Sequence, residues 1–123
     1  MTISVRPETP SDIAAVHAVH RAAFPGVQEA GLVDALREEG DLILSLVATR
    51  DEQVVGHVAF SRMRVENEAG THGAVALAPV GVRPEHQRRG VGTALIERGV
   101  AELRSAGETL VFVLGEPEYY ARF

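Results

Sequence analysis

The fold of this chain is decided by the apolar run AVALAPVGV at residues 74–82 and the basic stretch RPEHQRRGVGT at residues 83–93. The apolar run is long enough for a buried strand. Pro79 has no N–H to donate, so it predicts an edge, a bulge or a point where neighbouring strands part. Helically spaced apolar residues then continue to Gly107, which is placed as a C-terminal stop. The sequence therefore predicts a strand, a basic turn and a helix whose first turn contains glycines.

The glycines in that turn predict an anion site. The first N–H groups of a helix have no internal partner and carry the positive end of its dipole. Gly90 and Gly92 leave room for a phosphate to approach the backbone, and Arg88 and Arg89 add positive charge. The competing interpretation is a loop that needs glycine only for its backbone angles, with arginines that face water. The strand-to-helix context favours phosphate binding.

Two common phosphate motifs do not fit this stretch. A Walker loop needs a lysine after its glycines, and none is present here. A dinucleotide fingerprint needs a third glycine where Leu95 stands, and Glu116 would have to serve as its ribose-binding acid. The stretch instead resembles the pyrophosphate-binding motif of the GNAT superfamily of acyl-CoA-dependent N-acetyltransferases, Gln/Arg-x-x-Gly-x-Gly/Ala after a bulged strand. Gln87, Gly90 and Gly92 fill its three fixed positions.

Length and composition restrict the class of protein. A chain of 123 residues with 46% hydrophobic content predicts one domain over residues 1–123. The net charge of −5 argues against nucleic acid as a main partner, and the absence of cysteine excludes a thiol nucleophile. The first residues lack the apolar run of a signal peptide, and no stretch approaches membrane-spanning length. We expect a cytoplasmic protein without a membrane partner.

The rest of the chain predicts further elements in order. Strands are expected at residues 2–5, 42–49, 54–62 and 110–114, and helices from Thr9, over residues 28–39 and from Glu118. Residues 65–73 predict a polar loop. Residues placed on the buried faces of the first two helices are Ile13, Val16, Val19, Ala23, Leu32, Val33 and Leu36. His17 and His20 are expected to be partly buried and hydrogen-bonded rather than metal ligands.

This order of elements resembles the GNAT fold. The resemblance implies an α/β (α+β) architecture with a mixed, mostly antiparallel sheet, helices on both faces and a splayed pair of parallel strands. The last residues resemble the family's Tyr-x-x-x-Gly-Phe signature, with Tyr120 on the tyrosine. The chain stops before the Gly-Phe, so we expect a domain truncated after its fourth helix.

The resemblance also implies a site. Acetyl-CoA would be the acyl donor, without a metal, and a small-molecule or protein amine would attack the thioester directly. Backbone groups of Val80 and Val82 would hold the pantetheine arm. Tyr120 would protonate the departing thiolate, and either Glu29 or His57 is a possible base. The residues implied at the pyrophosphate are Gln87, Arg88, Arg89, Gly90, Val91, Gly92 and Thr93.

Two other functions stay open at this point. One is a non-catalytic acyl-CoA-binding or regulatory module, and the other is an α/β interaction domain whose glycines serve only the backbone. The apolar strand predicted at residues 110–114 would also leave an open edge, which is a template for pairing with another chain. We therefore expect a possible homodimer.

Overall fold

The computed structural model of the protein describes residues 2–109 and 111–113. Its strands form a sheet in the order β1-β2-β3-β4-β5. Neighbouring strands are antiparallel except β4 and β5, which are parallel. The mixed, mostly antiparallel sheet confirms the predicted fold class. The elements are β1 (Ser4–Pro7), α1 (Ile13–Ala23), α2 (Gln28–Glu39), β2 (Leu42–Arg50), β3 (Gln53–Asn67), β4 (Gly70–Val82), α3 (Val91–Ser105) and β5 (Val111–Val113).

The hydrophobic core has two parts on opposite faces of the sheet, because successive strand residues point to opposite sides. Leu46 and Ala48 of β2 belong to the cluster beneath α3, together with Leu95 of that helix. Val47, which lies between them in the sequence, belongs to the cluster with Val16 of α1 and with α2. Helices therefore cover both faces, as predicted.

The start of α1 is held by a carboxylate. Thr9 caps a short 3-10 turn over Pro10–Asp12 that leads into the helix, and its backbone N–H donates to Asp12 at 2.8 Å. Arg6 donates to both carboxylate oxygens of Asp12, at 2.7 and 3.1 Å. The Arg6 guanidinium, followed by the bonds from Thr9, holds the pKa of the Asp12 carboxyl well below its usual range. Asp12 therefore acts as the capping acid of this turn.

The first strand lies further along the chain than predicted. It covers Ser4–Pro7 rather than residues 2–5. Arg6 is paired with Val47 of β2, so this backbone is part of the ladder. The alternating pattern was too short to fix the register of the strand.

Helix α2 has the predicted boundaries and ends at Gly40, which adopts φ 75°. The prediction that Leu32 faces inward is wrong, since the residue is 43% exposed. Ala30 and Val33 are buried instead. Successive residues are about 100° apart around a helix, so the face that buries Ala30 and Val33 turns Leu32 toward water.

The predicted polar loop at residues 65–73 is also wrong. Strand β3 continues to Asn67 and β4 begins at Gly70, so the chain reverses within two residues. The Asn67 side-chain oxygen accepts the backbone N–H of Ala69 at 2.9 Å, which closes the turn. This end of the hairpin extends beyond the core, and residues 66–73 are exposed, so the sequence there lacks the apolar alternation that predicts a strand.

Strand β5 confirms the predicted parallel partner of β4. Val111 pairs with Val75, and Val113 pairs with Leu77. In the described sheet it is the last strand, with Phe112 40% exposed. The helix predicted from residue 118, and with it the expected end of the domain, falls outside the described residues.

Candidate functional site

A bulge in β4 sets the geometry of the site. On one side of it Leu77 pairs with Phe60, and on the other Val80 pairs with Val58, so β4 carries one residue more than β3. Pro79 lies in the bulge, which confirms the irregularity predicted from this proline. The described pairing with β5 ends at Leu77, before the bulge.

Beyond the bulge, two backbone positions of β4 point away from β3. The Arg83 N–H donates to the Val55 carbonyl at 2.9 Å, so Arg83 faces β3. Hydrogen-bonding groups alternate in direction along a strand, and the pairing is regular from Val80 to Val82. The N–H and C=O groups of Val80 and Val82 therefore point to the opposite edge, the one along which β5 pairs with the earlier part of β4.

Gln87 fixes the loop that follows. Its side-chain amide donates to the Val82 carbonyl at 2.9 Å, which ties the loop to the end of the strand. Its backbone N–H donates to the Pro84 carbonyl at 3.3 Å and closes a 3-10 turn over Pro84–His86. The glutamine of the motif thus shapes the loop through main-chain bonds.

Two residues in the loop have positive φ angles, which point backbone N–H groups into the turn. Arg88 has φ 63° and Gly90 has φ 82°. A Cβ at Gly90 would meet no atom within 4 Å, so the backbone angle rather than crowding is what favours glycine there. Successive N–H groups in such a conformation form a concave surface that suits an anion.

The N-terminus of α3 follows this turn and has no side-chain cap. Gly90 is the N-cap residue, and the first turn contains no acidic side chain. The N–H groups of Val91, Gly92 and Thr93 therefore have no partner within the helix. Val91 and Gly92 are buried, whereas Thr93 is exposed. Neither a side-chain cap nor an acidic residue of the first turn therefore balances the positive end of the helix.

Cationic side chains surround this helix end. Arg88 and Arg89 are exposed in the loop immediately before it. Arg50 of β2 lies with Nη1 3.4 Å from His86 Nδ1, which brings another guanidinium to the same loop. Although the chain carries a net charge of −5, this surface is locally basic.

A second group of polar side chains lies on the other face of the sheet, beneath α1. His20 of α1 and His57 of β3, here called the imidazole pair, are fully buried. His20 Nε2 lies 2.8 Å from His57 Nδ1, and His57 Nε2 lies 2.7 Å from the Oγ of Ser45 on β2. These three side chains form a continuous hydrogen-bonded line, which we call the Ser–His–His chain.

The environment of the imidazole pair favours its neutral form. Burial lowers the pKa of His20 to about 4; His17 also lowers it, while Asp34 acts in the opposite direction. Burial, His20 and Arg37 together hold the pKa of His57 well below its usual range. Both rings are therefore neutral at pH 7, and each has one nitrogen that donates and one that accepts.

One end of the Ser–His–His chain meets β4 at Gly81. Within the described part of the chain, the buried His20 Nδ1 has no hydrogen-bond partner. A Cβ on Gly81 would lie 2.7 Å from this nitrogen, so the glycine makes room for the ring. Gly81 lies between Val80 and Val82, and the unpartnered nitrogen therefore faces the strand segment that presents backbone groups at its edge.

The structure brings together some predicted site residues and separates others. The backbone groups of β4, the loop and the start of α3 form one continuous surface. Glu29 lies in the first turn of α2 and is partly exposed, and Tyr120 falls outside the described residues. The sequence indicated His57 as a possible base, but it did not lead us to predict a role for Ser45. Its signal was a lone polar residue in the apolar strand LILSLVAT at residues 42–49.

Two further observations concern residues 2–109 and 111–113. No helix in these ranges is both long and apolar enough to cross a membrane. No three or more histidines and acidic residues cluster there in a way that could hold a metal ion.

Known proteins with similar sequences are N-acetyltransferases. Residues 4–123 match the acetyltransferase (GNAT) domain family. The uncharacterized N-acetyltransferase YhbS of Escherichia coli K12 is 40% identical over 120 residues, which cover 97% of this chain and 71% of that protein. The uncharacterized N-acetyltransferase YjhQ of the same strain is 40% identical over 114 residues, covering 91% of this chain and 63% of that protein.

Solved structures of similar sequence share the fold. A GNAT family acetyltransferase from Brucella melitensis in complex with acetyl-CoA has a TM-score of 0.88 and 41% identity, covering 99% of this chain and 81% of that one. Escherichia coli YhbS in complex with CoA has a TM-score of 0.87 and 38% identity, covering 98% of this chain and 67% of that one. The chain described here therefore belongs to the GNAT superfamily of acyl-CoA-dependent N-acetyltransferases.

Proposed function

We propose that this protein binds acetyl-CoA at the start of α3 and transfers its acetyl group to an amine by direct attack in a ternary complex. The observation that carries the proposal is the uncapped N-terminus of α3 behind a turn with two positive φ angles. Such a helix end binds phosphate groups. The complexes of the Brucella and Escherichia coli proteins with acetyl-CoA and CoA support this choice of ligand.

The residues of the loop fit a pyrophosphate. Backbone N–H groups would donate to its oxygens, and the exposed Arg88 and Arg89 would balance its charge. The pantetheine arm would pair with backbone groups of Val80 and Val82, which point away from β3. Gln87 keeps the loop in register with the strand. The proposed pyrophosphate-binding residues are Gln87, Arg88, Arg89, Gly90, Val91, Gly92 and Thr93.

The reaction needs proton transfers but no covalent enzyme intermediate. An alkylamine is mostly protonated at pH 7, so it must lose a proton before or during attack, and the departing thiolate leaves more easily when protonated. We propose Tyr120 as the acid for the thiolate. Glu29, in the first turn of α2, is a candidate base for the amine.

Calorimetry with acetyl-CoA tests the binding site. Arg88→Ala and Arg89→Ala should weaken binding, and the loss should shrink as salt is raised, because exposed charges are screened. Arg104→Ala is a matched control, because Arg104 is an exposed arginine in the last turn of α3, at the opposite end of the helix from the loop. Equal affinities for all three variants and the parental chain would remove the pyrophosphate from this turn.

Turnover is tested by release of CoA thiol with a panel of primary amines that includes butylamine, spermidine and a lysine peptide. Tyr120→Phe should lower kcat with little change in acetyl-CoA affinity, and Glu29→Gln should lower kcat most at low pH. An unchanged rate in either variant would remove the role proposed for that residue. Binding of acetyl-CoA without turnover of any amine would favour a non-catalytic module.

We also propose that β5 can contribute to a homodimer. Phe112 and Val113 are 40% and 54% exposed on the last strand of the described sheet. An apolar strand edge is a template for pairing with a second copy. Light scattering across a concentration series should show a dimer that dissociates in Val113→Lys. A monomer at every concentration would contradict this interface.

A further inference from the structure

We propose that Ser45, His57 and His20 form a proton relay across the sheet, which accepts a proton from the acceptor amine at the Gly81 end and releases one to solvent at the Ser45 end. This inference rests on the proposed acetyl transfer. It assigns the unpartnered nitrogen of His20 as the base, in place of Glu29, and the other two side chains as positioning residues behind it. Under this assignment Glu29→Gln should leave kcat near the parental value.

The two ends of the Ser–His–His chain suit opposite roles. His20 Nδ1 is buried, has no partner in the described part of the chain and faces Gly81, between the two residues proposed to hold the pantetheine. An acceptor amine held beside the pantetheine would lie along the same segment of β4, and a general base can take a proton directly or through one water. Ser45 at the other end is only partly buried, so its hydroxyl can exchange protons with water.

The proton movements balance without leaving a charge inside the protein. In the starting order His20 Nε2–H donates to His57 Nδ1, and His57 Nε2–H donates to Ser45 Oγ. A proton from the amine binds His20 Nδ1, each donated proton moves to its acceptor, and the Ser45 hydroxyl proton passes to water.

The bond to the amine nitrogen forms as the carbon–sulfur bond of the thioester breaks. The ammonium loses two protons in all: one leaves through the relay and the other ends on the sulfur. After the product leaves, water returns a proton at the Ser45 end, each transfer runs in reverse, and the His20 Nδ1 proton passes to water that enters the vacated site.

The surroundings explain why these imidazoles would pass a proton on rather than hold it. A charged ring is costly at a buried site, and burial is the main reason that both pKa values are lowered. A transfer that leaves each ring neutral avoids this cost. The charged or titratable groups that act on the Ser–His–His chain are His17 on α1 and Asp34 and Arg37 on α2. Arg37 is in turn paired with the carboxylate of Glu8.

Ser45 offers a matched pair of variants that should not disturb folding. Ser45→Thr keeps the hydroxyl, whereas Ser45→Val has nearly the same shape without it, and both are well tolerated in a strand. Each variant is assayed with acetyl-CoA and the amine of the panel that the parental chain turns over fastest. We expect Ser45→Val to lower kcat at least tenfold at pH 7, Ser45→Thr to stay within twofold of the parental rate, and both to bind acetyl-CoA normally.

The pH dependence separates a relay from a structural effect. Free amine becomes abundant as pH approaches its pKa of about 10, so a base is needed less there. The ratio of parental to Ser45→Val rate should therefore fall as pH rises. A ratio that stays constant with pH, or a Ser45→Val variant as fast as the parental chain, would overturn the relay while leaving acetyl transfer intact. Failure of the parental chain to bind acetyl-CoA would instead overturn the proposed function and the relay with it.

Nitrogen-15 NMR of the imidazoles gives a readout independent of activity. Both rings should be neutral at pH 7, and replacing Ser45 by Val should shift the tautomer populations of His57 and, through it, of His20. Ser45→Thr should keep the parental spectrum. A charged ring at pH 7, or a His20 ring that does not respond to Ser45→Val, would contradict the proposed connection.

Discussion

A carboxylate placed in the first turn of α3 should have opposite effects on folding and on cofactor binding. Thr93 is the third residue of the helix and is exposed, so its side chain can be changed without altering the core. In Thr93→Asp the new negative charge lies beside the positive end of the helix dipole. Such an interaction stabilises a helix by about 0.3–1 kcal/mol, so we expect the free energy of unfolding to rise slightly.

The same carboxylate would repel the pyrophosphate. At a separation of about 6 Å, each phosphate charge costs about 0.7 kcal/mol in bulk water and about 2.8 kcal/mol at an effective dielectric constant near 20. Two charges therefore cost at least about 1.4 kcal/mol, which corresponds to a tenfold weaker Kd. This separation lies within the screening length of about 8 Å at physiological salt, so the repulsion should persist there.

The measurement combines urea unfolding with calorimetry of acetyl-CoA binding. Thr93→Asn is the matched control, because it has nearly the same shape as the aspartate variant but no charge. We expect Thr93→Asn to bind acetyl-CoA much more tightly than Thr93→Asp. Equal binding of acetyl-CoA by the two variants would show that the pyrophosphate does not lie at this helix end.

Three further predictions concern stability and are measured by urea unfolding. The imidazole pair is neutral in the folded protein and binds protons more readily in the unfolded chain. The free energy of unfolding should therefore fall as pH drops from about 6.5 toward 4, by up to about 1.4 kcal/mol per pH unit for each ring. Asp12→Asn removes the charged partner of Arg6 and should lower the free energy of unfolding by about 1–2 kcal/mol at pH 7. The difference from the parental chain should shrink below pH 3.9, about the pKa of an unfolded aspartate, because the parental chain then takes up a proton when it unfolds. Gly81→Ala crowds the buried His20 ring and should cost about 1–3 kcal/mol, whereas Gly31→Ala, in α2 with no atom within 4 Å of its Cβ, should stabilise by up to about 1 kcal/mol.

The bulged strand and the helix that follows it could be predicted because their signals are local. Pro79 cannot join a regular ladder, and Gly90 adopts a backbone angle that other residues avoid. The resemblance of the motif then supplied the function. The extended hairpin could not be predicted in the same way, because its outer residues are exposed and lack an apolar pattern.

The Ser–His–His chain shows a different limit of sequence reasoning. His20 and His57 are 37 positions apart, and Ser45 lies on a third element. Each looks ordinary in its own segment, and only the packing of α1 against β2 and β3 brings them together. The requirement for glycine at position 81 could not be predicted either, because it comes from the His20 ring of α1, which packs against this position.

The central claim, that the start of α3 binds the pyrophosphate of acetyl-CoA, is tested most directly by amide NMR during a titration with acetyl-CoA and then with CoA. Both ligands should shift the backbone amides of Val91, Gly92 and Thr93 strongly and alike, because the two ligands share the pyrophosphate. Binding that leaves these three amides unchanged while others shift, or no binding at all, would contradict this claim.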